Sequence, residues 1–125
     1  MDVITLDEFC RDNAVHHVNY LMIDTEGGDL EVLKGAEQML TDQRIDFVEV
    51  EASMHAGNQA HVPFELLKHY LESKGYVLFG IYRQMSEVPR DGPHLRRTNS
   101  TFISCRMVRT HRRATDRPFE AMASI

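Results

Sequence analysis

Two short apolar runs in this 125-residue chain each lead into acids, and acids so placed can do chemistry. The run Val18–Asp24 (VNYLMID) closes on Asp24, with Glu26 two residues further on. The run Ile45–Val50 (IDFVEV) contains Glu49 and is followed at once by Glu51. Paired carboxylates can accept a proton from a hydroxyl, hold a divalent cation or bind an amine. The competing assignment is structural, with Glu26 and Asp29 capping the next helix and Glu49 in solvent. Two runs ending alike point instead to a site, with Asp24 and Glu51 facing it if the runs are neighbouring strands.

The other reactive residue types give weaker patterns. His16 and His17 are adjacent and point to opposite sides of an extended segment, which is poor geometry for a chelate. His55 and His61 flank a polar stretch over the strand ends and are the better candidates for a catalytic or ligating role. Cys10 and Cys105 have no metal-ligand or redox spacing, which suits a reducing cytoplasm, and Cys10 is expected to pack inside. No metal site is assigned. Ser53 has no partner pattern of a hydrolase triad. Gly27-Gly28 permits a tight turn, but no G-x-G-x-x-G and no P-loop occurs anywhere.

The elements that position these residues follow from periodicity. Thr5-Leu6-Asp7-Glu8 reads as a capping box opening a short helix that stops near Asn13, with Leu6, Phe9 and Cys10 on one face. Val18–Asp24, apolar on both faces, reads as a buried parallel strand. Asp29–Leu40 has helical spacing, and Asp29 suits the positive end of its dipole. Ile45–Val50 is a second strand. Pro63 opens a helix with Phe64, Leu67, Tyr70 and Leu71 on its apolar face, and Gly75 stops it. Tyr76–Arg83 and Ser100–Val108 are two further strands, and Tyr70, Phe79 and Phe102 read as core. The order predicts an α/β fold with a parallel pair, a C-terminal antiparallel hairpin and helices on the faces.

The same residues carry a family resemblance. Thr5–Phe9, the segment Leu21-Met22-Ile23-Asp24-Thr25-Glu26-Gly27-Gly28-Asp29-Leu30-Glu31-Val32-Leu33-Lys34-Gly35-Ala36, and Ile45–Glu51 resemble the FkbM family of methyltransferases. Leu71–Tyr76 and the region of Tyr82 are similar too. Met22 stands where the family pattern commonly has Lys, and Asp29 where it commonly has Glu. The resemblance implies a partial Rossmann-like (class I methyltransferase) sheet and S-adenosylmethionine as cofactor. It implies methyl transfer to a hydroxyl of a small molecule, sugar or lipid. Asp24 and Glu26 match the acids after the fourth strand of that fold and Glu51 the acid after the fifth. These three are the implied catalytic residues, orienting the acceptor or assisting its deprotonation. The glycine-rich turn and ribose-binding acid of the first three strands have no counterpart here, so no cofactor-binding residue is named. Residues 1–108 are thus expected to be the C-terminal half of the domain, present as a truncated half, and 109–125 a basic, mobile tail.

Composition bounds the alternatives. Hydrophobic residues at 42% and charged residues at 26% exclude a disordered or fibrous chain. No apolar run approaches the ~20 residues that cross a bilayer, and the N-terminus lacks a signal peptide's pattern, so the expected location is cytoplasmic, with no membrane partner. Residues 1–89 hold six Lys/Arg against sixteen Asp/Glu, while 90–125 hold eight Arg against three acids. The Arg-rich end (Arg96, Arg97, Arg106, Arg109, Arg112, Arg113) offers a nucleic-acid reading that the acidic body argues against. Half a sheet leaves an open edge, so a homodimer or a partner chain covering that edge is expected. A non-catalytic binding or assembly module on a relic methyltransferase fold is the main alternative to an enzyme.

Overall fold

The computed structural model describes residues 2–54, 61–87 and 100–110. Helix α1 (Leu6–Asp12) leads to strand β1 (Val18–Ile23), then helices α2 (Asp29–Lys34) and α3 (Glu37–Thr41). Strand β2 (Ile45–Ser53), helix α4 (Phe64–Ser73) and strands β3 (Tyr76–Glu87) and β4 (Ser100–Arg109) complete the order. The result is a mixed α/β fold with one four-stranded sheet in the order β1-β2-β4-β3. β1 and β2 run parallel, and β4 lies antiparallel between β2 and β3. The parallel pair and the antiparallel hairpin are therefore both present.

Local chemistry explains most of the boundaries. The capping box forms as expected: the Glu8 amide donates to Thr5 Oγ1 (3.1 Å) and the Thr5 amide to Glu8 Oε2 (2.8 Å). Pro63 sits one position earlier than expected, as the N-cap of α4, at φ −56° and ψ 135°. Gly75 follows α4 at φ +83°, a conformation that favours glycine, and its carbonyl accepts from the Thr110 amide. The expected single helix over Asp29–Leu40 is instead two helices. The break falls at Gly35-Ala36, where the Gly35 carbonyl takes the Asp7 amide (2.9 Å) instead of continuing the helical ladder. Both oxygens of the Asp7 carboxylate then receive the free amides of Gln38 (2.8 Å) and Met39 (3.0 Å) at the start of α3.

One face of the sheet meets the helices. Ile23, Val48, Val50, Ala52, Ile103, Cys105 and Met107 form one buried cluster with Leu33, Met39, Leu40, Leu67 and Leu71. Cys10 is buried in it as expected, and burial pushes the Cys105 thiol up to about 12. The opposite face differs from expectation. Tyr20 and Met22 are exposed on it, so β1 is buried on one side only. Phe79 stacks edge-on against Phe47, 5.8 Å between centroids, and is 47% exposed, so it is not core. Phe102 lies in β4, paired in register with Ser53. Tyr70 packs against the core and donates to the Leu33 carbonyl. The physical reason for the exposed face is simple: among the described residues, the buried apolar helix positions all belong to the cluster on the other one.

At the amino ends of the strands, Asp46 is buried and its Oδ1 faces Arg109 Nε (2.6 Å) and His17 Nε2 (2.8 Å). This ties the entry of β2 to the exit of β4 and to the segment before β1. It leaves the opposite end of the sheet, where β1 and β2 finish, free to carry a site.

Candidate functional site

Parallel pairing places Ile23 beside Val50, so the chain leaves β1 at Asp24 alongside Glu51. Strand β2 outlasts β1 by running on to Ser53, and the acids sit on this step. Asp24 is close enough to Glu51 to act on its carboxyl group. Burial pushes the Glu51 carboxyl above the usual range, and the charges of Asp24 and Asp29 push the same way. His61 opposes them. A carboxyl so raised is a better proton acceptor than an ordinary glutamate.

The third predicted acid stands apart. Glu26 is exposed in the turn at φ +53°, and it is not among the groups acting on Glu51. Glu49 is neither solvated nor part of the pair. Its carboxylate accepts from the Tyr20 hydroxyl, from Ser104 Oγ (2.8 Å) and from Arg106 Nε (3.2 Å) and Nη2 (2.9 Å). Burial alone would raise this carboxyl, but the bonds from Tyr20, Arg106 and Ser104 outweigh it and the net shift is downward. The Arg106 guanidinium lies between the rings of Tyr20 (5.1 Å) and Tyr82 (4.4 Å). Gly80 makes room for this: a Cβ there would meet the Tyr82 ring at 2.9 Å.

Asp29 lies in the first turn of α2, as expected, and its carboxylate also does more. It is 1% exposed, and its Oδ1 accepts from the Thr25 amide (3.1 Å) and hydroxyl (2.5 Å). Its Oδ2 accepts from the Glu51 amide (3.1 Å). One carboxylate thus clamps the turn that carries Asp24 to the strand that carries Glu51. The N-cap of α2 is Gly28, without a side-chain cap.

The chain's first 78 residues match the Methyltransferase FkbM domain. The chain belongs to the FkbM methyltransferase family. The match runs from α1 into β3 and so contains Asp24, Glu26, Asp29, Glu49, Glu51 and His61. No curated protein and no solved structure matches the chain. For an FkbM methyltransferase S-adenosylmethionine is the general donor, which raises the question of fit. At the turn from β1 to α2 the Thr25 amide is already taken by the Asp29 carboxylate, so that amide is not free to hold the donor's carboxylate.

Sequence reasoning missed two partnerships in this family member. The Asp29 clamp left no trace beyond an acid after two glycines. The Glu49–Arg106 pair joins residues 57 apart and depends on the β2–β4 register. His61, one of the two histidines singled out, is buried and acts on Glu51. His55, Arg96, Arg97, Arg112 and Arg113 lie outside the described residues. Arg106 and Arg109 are both engaged with carboxylates. Among the described residues no helix is long and apolar enough to cross a membrane.

Proposed function

We propose that this chain provides the acceptor side of an S-adenosylmethionine-dependent O-methyltransferase acting on a hydroxyl of a small molecule, sugar or lipid. The observation that carries this is the parallel β1–β2 register that brings Asp24 and Glu51 side by side at the carboxyl ends of two strands, where open α/β sheets receive ligands. In this reading β1 and β2 are the fourth and fifth strands of a Rossmann-like sheet, and β3 and β4 its terminal hairpin. Glu51 accepts the acceptor's hydroxyl proton as the oxygen attacks, and Asp24 holds the hydroxyl in line. Glu26, exposed on the turn, meets the acceptor from outside. The donor supplies the methyl group and is held by elements other than the β1–α2 turn.

The test is transfer of labelled methyl from S-adenosylmethionine to a panel of sugar, polyol and lipid hydroxyls. Glu51→Gln is expected to lower the rate by about 10²-fold or more while leaving the circular dichroism spectrum unchanged. Asp24→Asn is expected to act in the same direction. Full transfer by both folded variants overturns the assignment.

A specific observation favours a second reading. Tyr20, Met22, Val77, Phe79 and Tyr82 leave an apolar sheet face exposed beside the open β1 edge. Such surfaces mark association sites. The chain is then an assembly module, its sheet covered by a second copy or a partner chain, with or without catalysis.

A further inference from the structure

The pairing register lays the exposed sheet face out in rows that cross all four strands. The row nearest the acid pair runs from Asp24 beside Glu51 to Ser104 on β4 and Arg83 on β3. The next holds Met22, Glu49, Arg106 and Gly80, and the one below it Tyr20, Phe47, Val108 and Val77. Residues opposite one another across an antiparallel pair share a face, and the Ser104 hydroxyl marks this one by donating to Glu49. Arg83 is exposed, at the register shift of β3 that brings Tyr82 and Arg83 together opposite Ser104, and the Tyr82 ring lies over Arg106 on the same face. Met22 is 65% exposed, and Tyr20 and Val77 are exposed as well. Charge in these rows is divided by strand. The acids Asp24, Glu51 and Glu49 stand on the β1–β2 side, and Arg106 and Arg83 stand on the β4–β3 side.

A face divided this way is complementary to itself about one two-fold axis and not about another. An axis in the interface, parallel to the strands and between β2 and β4, sets β1 of one copy over β3 of the other and β2 over β4. Each row then meets itself reversed, so that Asp24 faces Arg83, Glu49 faces Arg106 and Tyr20 faces Val77. An in-plane axis across the strands, through the middle row, instead sets Glu49 over Glu49 and Arg106 over Arg106. Charge selects the first arrangement. Stacked sheets cross at about 30°, and β1 and β3 lie roughly 7 Å either side of the axis, so their contacts slip by about 4 Å along the strands. The long arginine side chain takes up that slip. We propose that the exposed face is the two-fold interface between two copies of this chain, and that Arg83 of each copy covers Asp24 of the other. This takes the assembly reading as its basis and commits it to a second copy. Each acid pair is then completed by a guanidinium from the other chain, on the side away from its own helices.

The experiment exchanges the charges and reads the mass of the full chain by light scattering. Arg83→Glu sets an acid against Asp24, and Asp24→Lys sets a base against Arg83, so each variant alone is expected to be a monomer. Mixed in equal amounts, the two are expected to form a dimer again, because both contacts of the mixed pair then join opposite charges. A mixture that stays monomeric, or single variants that stay dimeric, overturns the two-fold register. A monomeric wild type also overturns it and leaves the face to a different partner chain. Phe79→Glu tests the assembly reading separately: a wild-type dimer that survives this change is not held by the exposed face at all. If either charge variant does not fold, Arg83→Lys decides, since it keeps the charge and offers an amine that carbodiimide couples to a touching carboxylate. With isotopically light and heavy chains mixed, a cross-chain link from position 83 to Asp24 or Glu51 supports the register, and none overturns it.

Discussion

Asp29 shows what a buried carboxylate does when its hydrogen bonds are all made by the chain. Three donors converge on it, from Thr25 and from the Glu51 backbone. Asp29→Asn keeps the volume but turns one acceptor into a donor facing an N–H or O–H. It is expected to cost about 2 kcal/mol, read as a lowered midpoint in urea unfolding. It should also depress methyl transfer, since the clamp fixes the spacing of Asp24 and Glu51. The two strand glutamates make opposite contributions to pH dependence. Glu49 is held below its ordinary range by Tyr20, Arg106 and Ser104 against the cost of burial, so its stabilisation is present at neutral pH and lost as pH falls through its depressed value. Glu51 is held above, so its contribution is present at acid pH and lost as pH rises through its raised value. Glu51→Gln should therefore melt higher than wild type near neutral pH and alike at about pH 4. A variant that melts lower at both would show that Glu51 is not under repulsion.

At the scale of elements, α2 and α3 teach the same lesson about distance. Helical spacing set Leu30, Leu33, Met39 and Leu40 on one apolar face; the last three are buried and Leu30 is half-buried against the core. It could not reveal the break at Gly35-Ala36, because the cause lies on α1. Asp7 takes the amides of Gln38 and Met39, a cap supplied from 31 and 32 residues away. Asp7→Ala is expected to cost about 1 kcal/mol, the usual loss for a helix cap, with hydrogen exchange rising first at α3. No change in α3 protection would show the cap to be idle. The strands divide likewise. The order of elements predicted β3 and β4 as a hairpin, yet the placing of β4 between β2 and β3 rests on long-range pairing. The acids at Asp24 and Glu51 were legible because strand ends announce themselves by a change from apolar to acidic residues. The role of Asp29 was not assignable from sequence, because a clamp is defined by register and burial.

At the scale of the molecule, among the described residues, the sheet is covered by helices on one side and exposed on the other. The bare side is centred on Arg106 between Tyr20 and Tyr82, with Met22, Val77 and Phe79 around it. Aromatic residues and arginine dominate the energetics of protein interfaces, and a specific interface buries roughly 800 Å² on each partner. An exposed face of this composition matches the apolar, aromatic centre of one. The charges do not forbid it, because Arg106 is neutralised by Glu49 within the same face. Light scattering should therefore give a mass above that of the 14.4 kDa chain, either twice it or that of a complex with a partner chain. Phe79→Glu, on an exposed side chain, should return the particle to monomer with its circular dichroism intact. S-adenosylhomocysteine then separates the two readings. If it raises the melting temperature of the assembly but not of the Phe79→Glu monomer, the covered face completes a methyl-donor site and the chain is the acceptor half of a working enzyme. If it stabilises neither while the assembly persists, the chain is a module that keeps the family's strands for docking alone. A wild-type monomer that transfers methyl groups unaided would refute both.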